Sequence, residues 1–169
     1  MKKRSQISVE YILIITLALM ILLPGIYLFR NYALESNDKI IERRLAEITN
    51  QIFVKAREMY YYGPPSKSVV TVELPSQINL VYILSIPSND EYYLVFDVLT
   101  TNGQKEFTFE SEVPLENDFP NCNPSTNCNQ GFCKCFPERF YSAGIKNFEV
   151  QASENCQATV TCVKIDEVS

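Results

Sequence analysis

The chain has 169 residues, 46% of them apolar, a net charge of −5, six cysteines, and neither histidine nor tryptophan. The missing histidine excludes Ser-His-Asp and Cys-His nucleophile systems, the HExxH zinc site and histidine-bearing zinc fingers. Nineteen of the apolar residues fall within the first 29 positions, so the average hides a membrane-grade segment ahead of an ordinary soluble one.

Tyr11 to Phe29 are nineteen consecutive residues without a charge, YILIITLALMILLPGIYLF; about 20 such residues span a bilayer as a helix. Lys2, Lys3 and Arg4 precede the run. Basic residues beside a span stay cytoplasmic, which puts the rest of the chain outside, where cysteines form lasting disulfides. A cleaved secretory signal fits poorly, because the run exceeds the usual length of roughly 7–15 residues and Phe29-Arg30-Asn31-Tyr32-Ala33 is a weak small-residue cleavage site. A plain signal anchor fits the run but leaves Glu10 unexplained, a carboxylate at its edge, since charges near a membrane are costly and usually partnered.

Lys2-Lys3-Arg4-Ser5-Gln6-Ile7-Ser8-Val9-Glu10-Tyr11, leading straight into the apolar run, resembles the class III signal peptide of archaeal type IV pilins. Gln6, Ser8 and Glu10 match the Gln-x-Ser-x-Glu positions; Ser5 stands where glycine is common, and Ile14 where leucine is expected. The resemblance implies a cut by a prepilin peptidase between Ser5 and Gln6, on the cytoplasmic side. The subunit would then keep its anchor and expose a new α-amine on Gln6, cationic at neutral pH with an ordinary pKa of about 8. It also implies that Glu10 pairs with the Gln6 amine of a neighbouring copy, which spares a buried charge its isolation. On the bland reading, Glu10 is a boundary charge beside the basic leader.

Pro24-Gly25 interrupts the run and predicts a break or bend, through the lost hydrogen bond of proline. Pilin helices tend to carry such a residue mid-segment, and membrane helices in general tolerate one. Beyond Arg30, Ile41, Leu45, Ile48, Ile52, Ala56 and Met59 recur at intervals of three and four, one face of an amphipathic helix. Gly63-Pro64-Pro65 predicts its end. Glu35-Ser36-Asn37-Asp38 also reads as a cap, so a break near Asn37 is an alternative; a coiled-coil stalk is the alternative for the stripe.

From Pro64 the period changes to that of strands. Val69–Val72 and Ile78–Ile86 are rich in β-branched residues. Tyr92–Thr101 and Gln104–Val113 flank Asn102-Gly103, the strongest two-residue hairpin signal. A last hairpin is predicted from Ile145–Ala152 to Gln157–Ile165, turning at Ser153-Glu154-Asn155. Five or six antiparallel strands would give the helical stripe a sheet to pack on.

The segment from Glu116 to Pro137 holds Cys122, Cys128, Cys133 and Cys135 among asparagines and prolines, and reads as a loop. With Cys156 and Cys162 the six cysteines allow fifteen connectivities. Cys133 and Cys135 are too close to pair with each other. Cys156 and Cys162 share a face if the last strand is regular and begins early, and at least one bridge from the loop to that strand is expected. A metal site on the four loop cysteines is the rival, but their spacing lacks the paired knuckles of structural zinc sites.

The expected fold class is therefore α+β: a long N-terminal helix, apolar then amphipathic, packed on an antiparallel β-sheet head with a Cys-rich loop, the ladle form of pilins. The expected divisions are a basic leader at 1–5, a transmembrane or filament-core helix at 6–29, its amphipathic continuation at 30–63, and an extracellular head at 64–169 with the Cys-rich loop at 116–137. No P-loop, GxGxxG or GxSxG is present, so no enzyme, cofactor or metal is expected. Without Lys2, Lys3 and Arg4 the chain carries 12 basic against 20 acidic residues, which repels a nucleic acid on average. The resemblance implies a pilus subunit, major, minor or tip, whose partners are the prepilin peptidase, the membrane, other pilin subunits and a surface ligand. The alternative is a non-polymerising, membrane-anchored ectodomain for extracellular binding or adhesion.

Overall fold

The computed structural model describes residues 3–86, 88–101, 103–122, 128, 131–154, 156 and 161–168, and of residues 3–8, 31 and 167 the backbone alone. The elements in chain order are helix α1 (Lys3–Tyr62), strands β1 (Lys67–Leu74), β2 (Ile78–Ile86), β3 (Glu91–Thr100), β4 (Gly103–Ser111), β5 (Leu115–Glu116) and β6 (Phe132–Cys135), helix α2 (Glu138–Tyr141), and strands β7 (Gly144–Ser153) and β8 (Cys162–Glu167). Two compact units result, Met1–Ile40 and Ile41–Ser169.

The first unit is helix throughout its described length. Of the break or bend expected at Pro24-Gly25, the break does not occur, because α1 runs through both residues. Proline removes one hydrogen bond from the ladder, and membrane-type helices tolerate that loss. The alternative break near Asn37 is also absent. There Glu35 and Lys39, one turn apart, form an exposed ion pair at 2.8 Å.

In the second unit the helix ends where Gly63 takes a left-handed φ of 73°. Glycine bears that conformation without steric cost and so suits a helix C-terminus. The Gly63 N–H and the Ser66 hydroxyl both donate to the Met59 carbonyl, each at 3.0 Å, so a carbonyl left over by the helix end is satisfied twice.

The stripe is buried as its period requires. Ile41, Leu45, Ile48, Ile52, Ala56 and Met59 all join one apolar cluster with Val70, Val72 and Leu74 of β1, Val81 and Ile83 of β2, Leu94, Phe96 and Val98 of β3, and Val150 and Ile165 of β7 and β8. Helix packed on sheet, the α+β class, is the fold that forms. The strands divide into two sheets, ordered β1-β7-β8-β5 and β4-β3-β2-β6. The pairing of β5 with β8 is parallel, which departs from the expected all-antiparallel head. Residues far apart in sequence make that pair, and local periodicity carries no record of it.

The β3–β4 hairpin pairs from Tyr92 opposite Ser111 to Thr100 opposite Gly103; Asn102 of its expected turn lies outside the described residues. The last hairpin joins β7 and β8 antiparallel, but its second strand begins at Cys162 rather than Gln157. Asn155 of its expected turn and the segment 157–160 lie outside the described residues. Cys156 therefore precedes the strand, and it shares no strand face with Cys162.

All six cysteines are paired, and the expected bridge from the Cys-rich loop to the terminal strand is replaced by local ones. Cys122 bonds Cys135, Cys128 bonds Cys133, and Cys156 bonds Cys162, with Cα separations of 5.8, 5.6 and 6.0 Å. The reason lies in β6, which the loop reading missed. It pairs with β2, Cys135 opposite Tyr82 and Cys133 opposite Leu84, and this fixes both cysteines on one sheet face. There they join Tyr82, Leu84 and Val95 in a second apolar cluster, which Cys122 and Cys128 complete. Gly131 precedes β6 where a Cβ would collide with the Ser85 carbonyl, so only glycine admits this approach of the two backbones.

Leu45, fully buried, is expected to cost about 2–5 kcal/mol of unfolding stability as Leu45→Ala. Thr49 is 2% exposed and its hydroxyl has no hydrogen-bond partner among the described residues, so Thr49→Val should instead stabilise by about 1 kcal/mol. Denaturant titration of the full chain, followed by circular dichroism, measures both.

Candidate functional site in the exposed apolar helix

The chemistry of the first unit lies in what its side chains lack. Between Val9 and Tyr32, every large apolar side chain of α1 is exposed, Phe29 by 73% and Met20 by 75%. Isolated exposed apolar side chains are ordinary, but a contiguous apolar surface of this size marks an interaction site or a membrane. By length and composition the helix can cross a membrane. The nineteen residues from Tyr11 to Phe29 rise about 28 Å at 1.5 Å per residue, close to the hydrocarbon thickness of about 30 Å. Polar groups inside such a span must be satisfied internally, and the Thr16 hydroxyl donates to the Ile12 carbonyl one turn back at 2.7 Å.

Glu10, at the N-terminal boundary of the run, is exposed. Ser5, Gln6 and Ser8 belong to α1, and their side chains lie outside the described residues. Helical geometry puts positions 6 and 10 on one face, about 6 Å apart along the axis. Arg30 follows the run, so Glu10 and Arg30 bracket the uncharged segment.

In the second unit the cysteines and one buried ion pair serve the fold. A carboxylate of Glu116 lies near the sulfurs of Cys156 and Cys162, but those sulfurs form a disulfide and offer no thiolate to a metal. The four loop cysteines of the metal reading are likewise bonded to one another. Lys134 of β6 forms an ion pair with Glu116 of β5 at 2.7 Å, with side chains only 12% and 10% exposed. The same ammonium donates to the Asn117 carbonyl at 3.0 Å, and the fully buried Asn117 returns a bond from Nδ2 to the Lys134 carbonyl at 3.1 Å. This network joins an edge strand of one sheet to an edge strand of the other. Sequence reasoning missed it, since its members lie 17 and 18 residues apart in a stretch that reads as a loop.

Two titrating groups on the strands are shifted. Burial pushes the Asp166 carboxyl up, helped by the charge of Asp118 and opposed by Lys164. The Tyr93 phenol is raised mainly by its hydrogen bond to Glu91. Asp97 of β3, buried at 4% exposure, is another group that sequence reasoning passed over. An acid inside EYYLVFDVLT was the available signal.

A search of family models, of curated proteins and of solved structures finds no match to this chain.

An arginine in the middle of the run should cost about 2.5–3.5 kcal/mol on insertion into a bilayer. Leu19→Arg is therefore expected to reduce the fraction of the chain that alkaline carbonate leaves in the membrane pellet. For the buried pair, Lys134→Met strands the Glu116 charge and should destabilise by about 3–5 kcal/mol. Adding Glu116→Leu should restore part of that loss, as a double-mutant cycle by thermal denaturation would show.

Proposed function

We propose that this chain is a type IV pilin-like structural subunit, inserted in the membrane, cut between Ser5 and Gln6 by a prepilin peptidase, and assembled through its N-terminal helix into a cell-surface filament. The observation that carries the reading is the apolar helical segment from Tyr11 to Phe29, exposed along its length and preceded without a gap by a basic leader and Gln6-Ile7-Ser8-Val9-Glu10.

The physical logic has two stages. In the precursor, lipid covers the apolar surface and the basic leader holds the N-terminus in the cytoplasm. A cut before the helix, rather than after it, leaves that surface on the subunit. As the helix leaves the bilayer, like helices of other copies replace the lipid, so the apolar surface stays out of water outside the membrane as well. Glu10 then needs a cation, and the amine created on Gln6 of the adjacent copy supplies one. The head, braced by three disulfides, suits an extracellular position, because such bonds persist in oxidising compartments. The acidic excess argues for partners other than nucleic acid.

The second reading, an anchored ectodomain that does not polymerise, draws on Ser5, which departs from the glycine common before the cut. The mature N-terminus separates the two. Mass spectrometry of the chain from its native membrane is expected to find Gln6 as the first residue; an intact leader favours the anchored ectodomain. In a cleaved Glu10→Val variant, loss of about 3 kcal/mol from a buried pair should lower filament yield on the order of a hundredfold. Normal filaments from that variant would remove Glu10 from the assembly role.

A further inference from the structure

β1 and β4 are each the last strand of a sheet, and a strand edge with no partner is a template for another strand. Single hydrogen bonds fix which backbone groups lie on those edges. The Ala152 N–H donates to the Ser66 carbonyl at 3.0 Å, and bonded pairs alternate along an antiparallel ladder. Ser68, Val70 and Val72 therefore turn their backbone groups to β7, and Lys67, Val69, Thr71 and Glu73 turn theirs outward. The Leu99 N–H donates to the Gln77 carbonyl at 2.9 Å, toward β2. By the same alternation Gln104, Glu106, Thr108 and Glu110 face the outer edge of β4. Each edge presents four residues, and their side chains stand on the sheet face away from the core.

The two edges flank the Ile41–Tyr62 part of α1 on opposite sides. A hollow of about 410 Å³ lies between Arg44 and Glu47 of the helix and Thr71 and Glu73 of β1. A second, of about 370 Å³, lies between Val54 and Lys55 and Val69. β1 therefore runs against the helix. On the other side Glu42 pairs with Lys105 at 3.8 Å, and Arg57 pairs at 3.2 Å with Glu112, just past the end of β4. β4 therefore runs with the helix. At about 3.6 residues per turn, Glu42 and Arg57 fall on one flank of the buried stripe and Arg44, Glu47 and Lys55 on the other.

We propose that β1 of one copy pairs antiparallel with β4 of a second copy, Lys67 opposite Glu110, Val69 opposite Thr108, Thr71 opposite Glu106 and Glu73 opposite Gln104. This register engages all the outward residues of both edges, and outer face continues into outer face. The hollows beside β1 give the incoming strand room at the usual spacing of about 4.8 Å. One opposite-charge pair forms and no like charges meet directly. Lys67 keeps its side chain 62% exposed beside Glu149 of its own copy, at 3.3 Å, and an ammonium has three donors to share. A parallel pairing would set Glu73 against Glu110, and like charges directly opposite destabilise a sheet. Direction decides against a β1–β1 pairing, which would set the two helices head to tail. The β1–β4 pairing leaves the Ile41–Tyr62 helices of both copies pointing the same way, as copies drawn from one membrane require. Because it joins two different edges, the contact repeats from copy to copy instead of closing a dimer. Its place in a filament rests on the assembly reading; the strand pairing does not.

The test treats the full chain, in its native membranes and in shed filaments, with a carbodiimide, which joins a carboxylate to an amine in contact with it. Linked multimers on a denaturing gel, with Lys67 joined to Glu110 by mass spectrometry, are the expected result. Lys67→Glu or Glu110→Lys alone should abolish that link, and the two together should restore it with its ends exchanged. Thr71→Pro removes one outward N–H and spares the ladder to β7. It should lower the yield of linked multimers about tenfold, the equivalent of about 1.4 kcal/mol, while the melting temperature of the solubilised chain holds. Absence of the link in the unaltered chain would overturn the pairing. So would failure of the double charge variant to restore it, whether or not Thr71→Pro folds. Filaments without the link would overturn the pairing and leave the assembly reading standing, whereas the link in a chain that keeps its leader and forms no filaments would do the reverse.

Discussion

Six side chains on one face of α1, from Ile41 to Met59, need to leave water, and the second unit is organised around meeting that need. Each large apolar side chain fully buried contributes about 1.5–3 kcal/mol, so the stripe is among the larger stabilising terms in the unit. A single flat sheet would offer it one surface. Two four-stranded sheets both supply apolar residues to the cluster that contains the stripe. The strands alternate to suit this, as in β1, where Val70, Val72 and Leu74 are buried and Val69, Thr71 and Glu73 are exposed. The same periodic constraint draws Thr49 into that burial on the helix, where its hydroxyl has no hydrogen-bond partner among the described residues.

The apolar residues of the first unit answer the opposite condition. They are more apolar than the stripe and have no protein surface of their own over them. Water is a poor solvent for such a helix, so its stable surroundings are hydrocarbon or other helices of the same kind. A chain that carries this segment at one end and a self-sufficient core at the other can exchange one environment for the other without unfolding the core. This is the physical content of the assembly reading, and it explains why no catalytic group is required for it.

Away from the main core, covalent and ionic links do the work that apolar area cannot. The segment around Cys122 to Cys135 is too rich in asparagine and proline to bury much surface. It is held instead by two disulfides over Tyr82 and Leu84, and by Lys134 reaching Glu116 and Asn117. These links are mostly short in sequence, which is why each bridge closes on its own neighbourhood rather than on the terminal strand. A buried ion pair adds little net stability against an apolar replacement, but once formed it strongly penalises loss of either partner. Lys134 and Glu116 thus tie the two sheet edges together, at a position where loss of either partner is costly.

The local features of this protein were legible in the order of its residues. The nineteen uncharged residues, the three-and-four spacing from Ile41 to Met59, the stop at Gly63 and the β-branched runs of β1 and β2 all express preferences of neighbours, and the structure follows each of them. Pro24 and the cysteines were misread for one reason: their outcome depends on energies that residues nearby do not set. A proline breaks a helix only if nothing else sustains the helix, and a cysteine pairs with whatever the fold brings within about 6 Å. The division into two sheets, the parallel meeting of β5 and β8, the buried Lys134–Glu116 pair and the covering of Asp97 by Asn79 and Gln104 were decided by tertiary contact alone. Apart from Gln104, which reaches Asp97 across the β3–β4 hairpin, each joins residues whose separation along the chain exceeds the reach of any periodicity.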